Sequence, residues 1–301
     1  MEIVIEYPKQ SAPDKPSFQQ RTITIIFTLG NNLTFASTGN NQLTLTGLRC
    51  IVNIRNAGGM VAPELDLSVY GMLESDMNVL TALSIDGAKT GGLPAFKNTV
   101  AVFADGVSIF YGGFKNAWGN YHAAPDVCFH VEAQTVYIER QSAYAATSLP
   151  GPQPVANIVS GICENIGLDF LNNGVVVVAN NPNLPGSAIQ QINKLANDYN
   201  FNVSFEGKKL TISPNGLALP YATAIVNSET GLIGWPSFDK TGTQFVSLFN
   251  PNIKFMGAVE ISSSNTRANG KFVVTKLTYH LESEKPNGAW FMSCICGWWL
   301  N

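Results

Sequence analysis

From Arg21 to about Arg140, apolar and polar residues alternate with the two-residue period of a half-buried strand. The runs RTITIIFTLG, NQLTLTG, RCIVNIR, ELDLSVYG, NTVAVFA and VSIFYGGF are separated by Asn, Gly and Asp, which predicts a β-rich region. The turn from Ala104 to Gly106 contains Asp-Gly, whose backbone preferences suit a tight hairpin, so NTVAVFADGVSIFYGG is expected to fold back on itself. One segment breaks the alternation. It begins at Ser75 and Asp76 and places Met77, Leu80 and Leu83 on one face, predicting a single helix beside a barrel.

LPGPQPV, Leu149 to Val155, carries three prolines and a glycine, stops any regular element and reads as a linker. Beyond it Val155, Ile158, Val159, Ile162 and Ile166 recur at helical spacing up to Gly167, which suits a left-handed C-terminal cap. A second helix is announced by a capping box, Ser187 with Gln190, and carries the stripe Ile189, Ile192, Leu195, Ala196 and Tyr199. FNVSF and KKLTI then alternate on either side of Glu206 and Gly207, as a hairpin packed on that helix would. From Asn215 the strand pattern returns in TQFVSLF, GAVEISS, NGKFVVTKLTYHLE and AWFMSCICGWW; in the last, Trp290, Met292, Cys294 and Cys296 share a face. The expected organisation is a β domain with one helix over 1–148, a small α/β module over 149–214 and a second β domain over 215–301. The fold class is mainly β (α+β).

Composition adds one point. Charged residues are only 13% of the chain, against about 25% in ordinary soluble domains, while hydrophobic residues are 45%. Sparse surface charge fits extensive protein contacts, and it equally fits a β protein with a neutral polar surface. A net charge of −3 gives no electrostatic case for a nucleic-acid footprint, and no run of 18 apolar residues predicts a membrane segment. The start MEIVIEYPKQ lacks the basic and apolar regions of a signal peptide, so synthesis and retention in the cytoplasm are expected. The five cysteines are scattered and without CxxC, which favours buried free thiols.

Candidate chemistry is thin. His122, His130 and His280 fall in no metal-ligand spacing, and no P-loop, GxGxxG or GxSxG occurs; GGLPAF at Gly91 reads as a loop. The close carboxylate pairs Glu282 with Glu284 and Glu132 with Glu139 are the glycosidase candidates, yet solvated strand and turn charges explain them more simply. Trp118, Tyr121, Trp290, Trp298 and Trp299 would suit either a sugar platform or core and interface packing. No catalytic, cofactor-binding or metal-binding residue is expected.

GLIGWPSFDKTGTQFVSLFNPNIKFMGAVEISS followed by NGKFVVTKLTYHLESEKPNGAWFMSCICG resembles the second barrel region of tailed-phage baseplate hub proteins. The matching parts run in order: Gly231 to Gly234 with Pro236, the turn Leu248 to Pro251 with Asn250, Gly257, Gly270 to Val274, His280 and Trp290. GLRCIVNIRNAGG with ELDLSVYGMLESDMNVLT resembles the first barrel of that family, and SAIQQINKLANDYNFNVSFEGKKLTI its helix-hairpin piece. The resemblance implies two tail-tube-like barrels per subunit and a homotrimer whose six barrels match a sixfold tail tube above to a threefold spike below, with other baseplate proteins around it. It implies a structural part of the virion, assembled in the host cytoplasm, that lets DNA pass. Gly231, Gly234, Pro236, Asn250, Pro251, Gly257 and Trp290 would be structural residues of that fold. The alternatives are a carbohydrate- or receptor-binding module using the tryptophans, and a tail glycosidase using Glu282 or Glu284. Because the sequence stops at Asn301, just after the Trp strand, any lytic activity is expected to reside in a partner.

Overall fold

The computed structural model describes residues 21–30, 33–58, 61–81, 97–122, 124–142 and 144–298. Leu83, the GGLPAF loop and Trp299 lie outside them.

The first region contains β1 (Ile23–Thr28), β2 (Gln42–Thr46), β3 (Cys50–Asn56), β4 (Glu64–Tyr70), helix α1 (Glu74–Leu80), β5 (Thr99–Ala104), β6 (Val107–Asn120), β7 (Cys128–Gln134) and the short α2 (Tyr137–Gln141). β5 and β6 form the hairpin expected from the Asp-Gly turn: Asp105 and Gly106 both adopt positive φ, 48° and 78°, as a two-residue primed turn requires. Alternation puts Ile23, Ile25 and Phe27 of β1 inside. There the Phe27 ring meets Phe114 and Phe129 edge-on at 5.8 and 6.2 Å, and α1 adds Met77 and Leu80. Burying each such side chain contributes about 1.5–3 kcal/mol. The helix starts at Glu74, one residue before the position expected, and no side chain caps it. Asp76 is instead turned inward and accepts a hydrogen bond from Ser37 Oγ at 2.8 Å.

The middle module contains β8 (Thr147–Ser148), β9 (Pro152–Pro154), α3 (Val155–Ile166), β10 (Asp169–Asn172), β11 (Val178–Asn180), β12 (Asn183–Leu184), α4 (Ala188–Tyr199), β13 (Phe201–Glu206) and β14 (Lys209–Pro214). Gly167 closes α3 in the left-handed conformation, and Ser187 N–H donates to Gln190 Oε1 at 2.8 Å at the start of α4. Two features differ from the sequence expectation. The proline-rich linker forms a short strand, β9, antiparallel to β11; a two-stranded ribbon tolerates Pro152 and Pro154 because few of its N–H groups need partners. β10 joins the hairpin as a parallel third strand beside β14.

The third region comprises β15 (Ala224–Val226), β16 (Leu232–Phe238), β17 (Gly242–Leu248), β18 (Ala258–Ile261), a 3-10 turn (Thr266–Ala268), β19 (Gly270–Ser283) and β20 (Trp290–Trp298). Its strands are hydrogen-bonded to those of the first region. β19 is the joint: Ala258 to Ile261 of β18 pair with its first residues, and Cys50 to Asn56 of β3 with its last, while β20 runs along it. The result is one sheet, antiparallel in the order β16-β17-β20-β19-β3-β4-β7-β6-β5-β1-β2, with β18 branching from β19 and β15 parallel to β18. Side-chain packing remains divided, however. A core under the first region takes in Leu281 and Trp290, a second lies within the middle module, and a third lies among Phe245, Phe272, Val274, Met292, Cys294 and Cys296.

One close approach fixes the β17–β20 pairing. Gly242 has φ 152°, and a Cβ there would lie 1.9 Å from the Cys296 carbonyl oxygen. Gly242→Ala is therefore expected to cost about 2 kcal/mol through backbone strain and overpacking, read as a fall in urea midpoint at constant slope. A change below about 0.5 kcal/mol, the range of ordinary surface substitutions, would show that the strands separate freely there.

Candidate assembly surface

β16 ends the sheet on one side, so one of its backbone edges has no strand partner among the described residues. The pairing with β17 is interrupted between Ile233 and Ser237, where Gly234 adopts φ 69° and Trp235 and Pro236 form a bulge. Asn265 Nδ2 donates to the Pro236 carbonyl at 3.1 Å, and Trp235 Nε1 donates to Ser264 Oγ at 3.0 Å, so the bulge is held against the loop before the 3-10 turn. Trp235 remains 76% exposed. Phe238, Ile233 and, on β20, Ile295 and Trp298 are also exposed; Trp298 Nε1 donates to the Lys240 carbonyl at 3.2 Å in the β16–β17 turn. An unpaired strand edge flanked by exposed aromatic and aliphatic side chains is a surface shaped for burial by another chain.

The residues singled out in the sequence occupy three places. Gly231, Gly234 and Pro236 build this edge; at Gly231, φ 107° and a Cβ position 3.1 Å from Leu248 Cβ favour glycine. Asn250 and Trp290 lie where the third region enters the first core, and Pro251 lines the cavity near the β13–β14 turn. Asn250 N–H points to Met292 Sδ at 3.4 Å, the Trp290 ring packs on Phe249 at 6.0 Å, and Phe249 N–H donates to the Trp290 carbonyl at 3.1 Å. Gly257 stands apart in the turn before β18, its N–H donating to the Lys254 carbonyl at 3.0 Å.

The chemical candidates are engaged in cross-strand pairing. His130 lies opposite Ser68 and Trp118, with Ser68 Oγ 3.2 Å from its Nδ1, Asp66 3.8 Å from its Nε2 and the Trp118 ring at 4.3 Å. His280 lies inside β19, opposite Asn53, to which it hydrogen-bonds, and Phe291, on which its ring packs at 5.3 Å. Glu282 clasps the β19–β20 turn, accepting from Lys285 Nζ at 2.8 Å and Ala289 N–H at 2.9 Å. These bonds hold its carboxyl below the ordinary range, the Lys285 bond contributing most. A carboxyl depressed in the folded state stabilises above its unfolded pKa and loses that contribution as pH falls through its folded pKa. Glu282→Gln is therefore expected to narrow the acid-induced drop in melting temperature below about pH 4.5. An unchanged acid limb would mean the clasp also forms in the unfolded chain. Glu284 sits at the turn, exposed, with φ 51°, while Glu132 on β7 and Glu139 in α2 belong to different elements.

Among the described residues the tryptophans are not gathered into one platform. Trp118 and Tyr121 line a shallow groove with His122, Trp290 is buried, and Trp298 lies at the other end of the sheet order. Cys50, Cys163, Cys294 and Cys296 are buried free thiols; burial pushes Cys50, Cys163 and Cys296 up to about 12. Among the described residues no His, Cys, Asp and Glu grouping has the arrangement of a metal site, and no helix is long and apolar enough to cross a membrane.

A polar junction was not visible in the sequence. Glu206, at the tip of the β13–β14 hairpin, accepts from Tyr221 Oη at 2.8 Å and Lys254 Nζ at 3.0 Å, and that ammonium stands 4.9 Å from the Tyr221 ring centre. Burial pushes the Glu206 carboxyl up, but Lys254, Tyr221 and Lys209 together outweigh it and hold the group below its ordinary value. Burial, with Glu206 beside it, pushes the Tyr221 phenol up. The residues are far apart in the chain, and only the packing of the hairpin brings them together.

Solved structures share this architecture. The tail protein from Neisseria meningitidis MC58 aligns over 93% of this chain and 97% of its own, with a TM-score of 0.63 at 8% identity. The 43 kDa tail protein of prophage MuSo2 from Shewanella oneidensis aligns over 91% and 96%, with a TM-score of 0.60 at 8% identity. The E. coli c3393 protein, a component of the type VI secretion system described as similar to T4 tail proteins gp27 and gp5, aligns over 84% and 74%, with a TM-score of 0.61 at 7% identity. The fold is thus that of phage-tail and related secretion-system proteins. No curated protein sequence matches the chain. The family described as Baseplate hub gp41 matches residues 104–294, well over half of the sequence, and the chain belongs to that family.

Proposed function

We propose that this protein is a structural subunit of a phage baseplate hub that forms a trimeric, pseudo-sixfold ring and carries no catalytic site. Its two β regions would act as tail-tube-like barrels, with the middle module between them. The ring would join the tail tube above to the central spike below within the virion, contact other baseplate proteins, and leave a channel for DNA. The observation that carries the reading is the free β16 edge with Trp235 and its apolar neighbours, at one end of a sheet that runs through both β regions. A contact between such an edge and a different patch on the next copy is heterologous, and heterologous contacts form a ring when the rotation between copies closes. Family membership supplies the baseplate context, and the sparse charge of the chain suits a surface made for burial.

Light scattering on the purified protein at several concentrations tests this. A concentration-independent mass of three times 32.4 kDa is expected. A monomer at every concentration, or a dimer, would count against the ring.

A further inference from the structure

The middle module has its own core, to which the chain outside 149–214 contributes the buried side chains of Ala62 and Val136, both from the first region; none of its buried members comes from the third region. Facing the third region, the module presents polar groups. The β13–β14 turn reaches between the two β regions: Glu206 holds Tyr221 and Lys254 of the third, and Lys208 Nζ stands 5.6 Å from the Tyr111 ring of the first. Behind this turn is a cavity of about 90 Å³, lined among others by Ser204, Thr135, Asn56, Phe255 and Tyr279. Side chains do not fill that space, so the contact lacks the interlocked packing that fixes a rigid interface. Val203 and Phe205 point into the module's core, whereas Ser204 and Glu206, on the opposite face of β13, point to this junction.

We propose that Glu206, Tyr221 and Lys254 form a releasable latch, which holds the middle module against the β sheet and, when open, lets the module move as a unit without unfolding. Opening there wets the cavity lining, including Ser204, Thr135, Phe255 and Tyr279, while Ala62 and Val136 keep the module seated on the first region; separating the two β regions would instead break the β3–β19 ladder. Lys254 and Glu206 are 34% and 51% exposed, so the pair is a weak, water-accessible clasp, and loss of either partner lets the other be solvated and the contact open. This proposal does not depend on ring formation.

The test places a thiol in the cavity by Ser204→Cys, in the full-length chain, and follows its modification by a maleimide. Cys128, half-buried, serves as an internal reference. Adding Glu206→Gln is expected to raise the labelling rate of the introduced thiol about threefold, the size expected from losing an exposed ion pair, while the melting temperature and Cys128 labelling stay constant. Lys254→Arg keeps the charge and should keep labelling slow; Lys254→Gln should reproduce the effect of Glu206→Gln and serves in its place if that variant folds poorly. Equal rates in all backgrounds would overturn the latch. So would a rise that only tracks lost global stability, because the contact would then be part of one cooperative structure.

Discussion

Trp290→Ala is expected to destabilise the protein by about 3–5 kcal/mol, the usual cost of truncating a buried aromatic side chain. Trp290 is 5% exposed and, although it lies in β20, its side chain belongs to the core of the first region together with Leu281, its partner on β19. Phe249 packs against it edge-on, and the Arg21 guanidinium stands 5.8 Å from its ring. The indole is thus a plug from the third region set into the first, and its loss opens a cavity where β19 crosses to β3. Chemical unfolding followed by two probes, one in each β region, should show both transitions moving together. Trp290→Phe retains most of the volume and should cost less. A loss below about 1 kcal/mol would mean that the two cores are energetically independent despite the shared sheet.

The shared sheet is also where sequence and structure part most. Local features were legible because each is written in a few adjacent residues: Asp105-Gly106 for the β5–β6 turn, Gly167 for the end of α3, Ser187 with Gln190 for the start of α4, and the two-residue alternation that buries Trp290, Met292, Cys294 and Cys296. The pairing of β19 with β3 was not legible. A strand's outward face reads the same beside solvent as beside a neighbour, and nothing near Tyr279 indicates that residues around Ile54 will be its partners. The same limit hid the junction at Glu206, whose partners Tyr221 and Lys254 lie in separate loops. His130 and His280 are similar cases: in sequence they are isolated, and in the fold each is seated in a cross-strand pair.

The assembly edge was half legible. The run Gly231 to Pro236 drew attention through resemblance, yet nothing in it marked its apolar residues as outward-facing. Of these, Ile233 and Trp235 face outward. The physical reason is the bulge between Ile233 and Ser237, which breaks the alternation that would otherwise turn every second side chain inward. A bulged edge also resists indiscriminate strand addition, so a partner must match the aromatic groups and cannot simply extend the ladder.

Trp235→Ser is expected to abolish the ring while leaving the isolated subunit intact. At 76% exposure, with one hydrogen bond to Ser264, the indole contributes little to the subunit's own fold, so the melting temperature of dilute protein should change by no more than about 0.5 kcal/mol implies. A buried tryptophan at the centre of a contact commonly contributes about 2 kcal/mol or more, and a closed ring of three has three equivalent contacts, about 6 kcal/mol in all. Light scattering should then show a mass of 32.4 kDa at concentrations where the unaltered protein shows three times that value. Phe238→Ser, on the same edge, should weaken the ring in the same direction. If Trp235→Ser leaves the mass unchanged, the β16 edge is not the contact between copies. If it lowers mass and subunit stability together, Trp235 belongs to the fold of the subunit, and the contact lies elsewhere on the sheet.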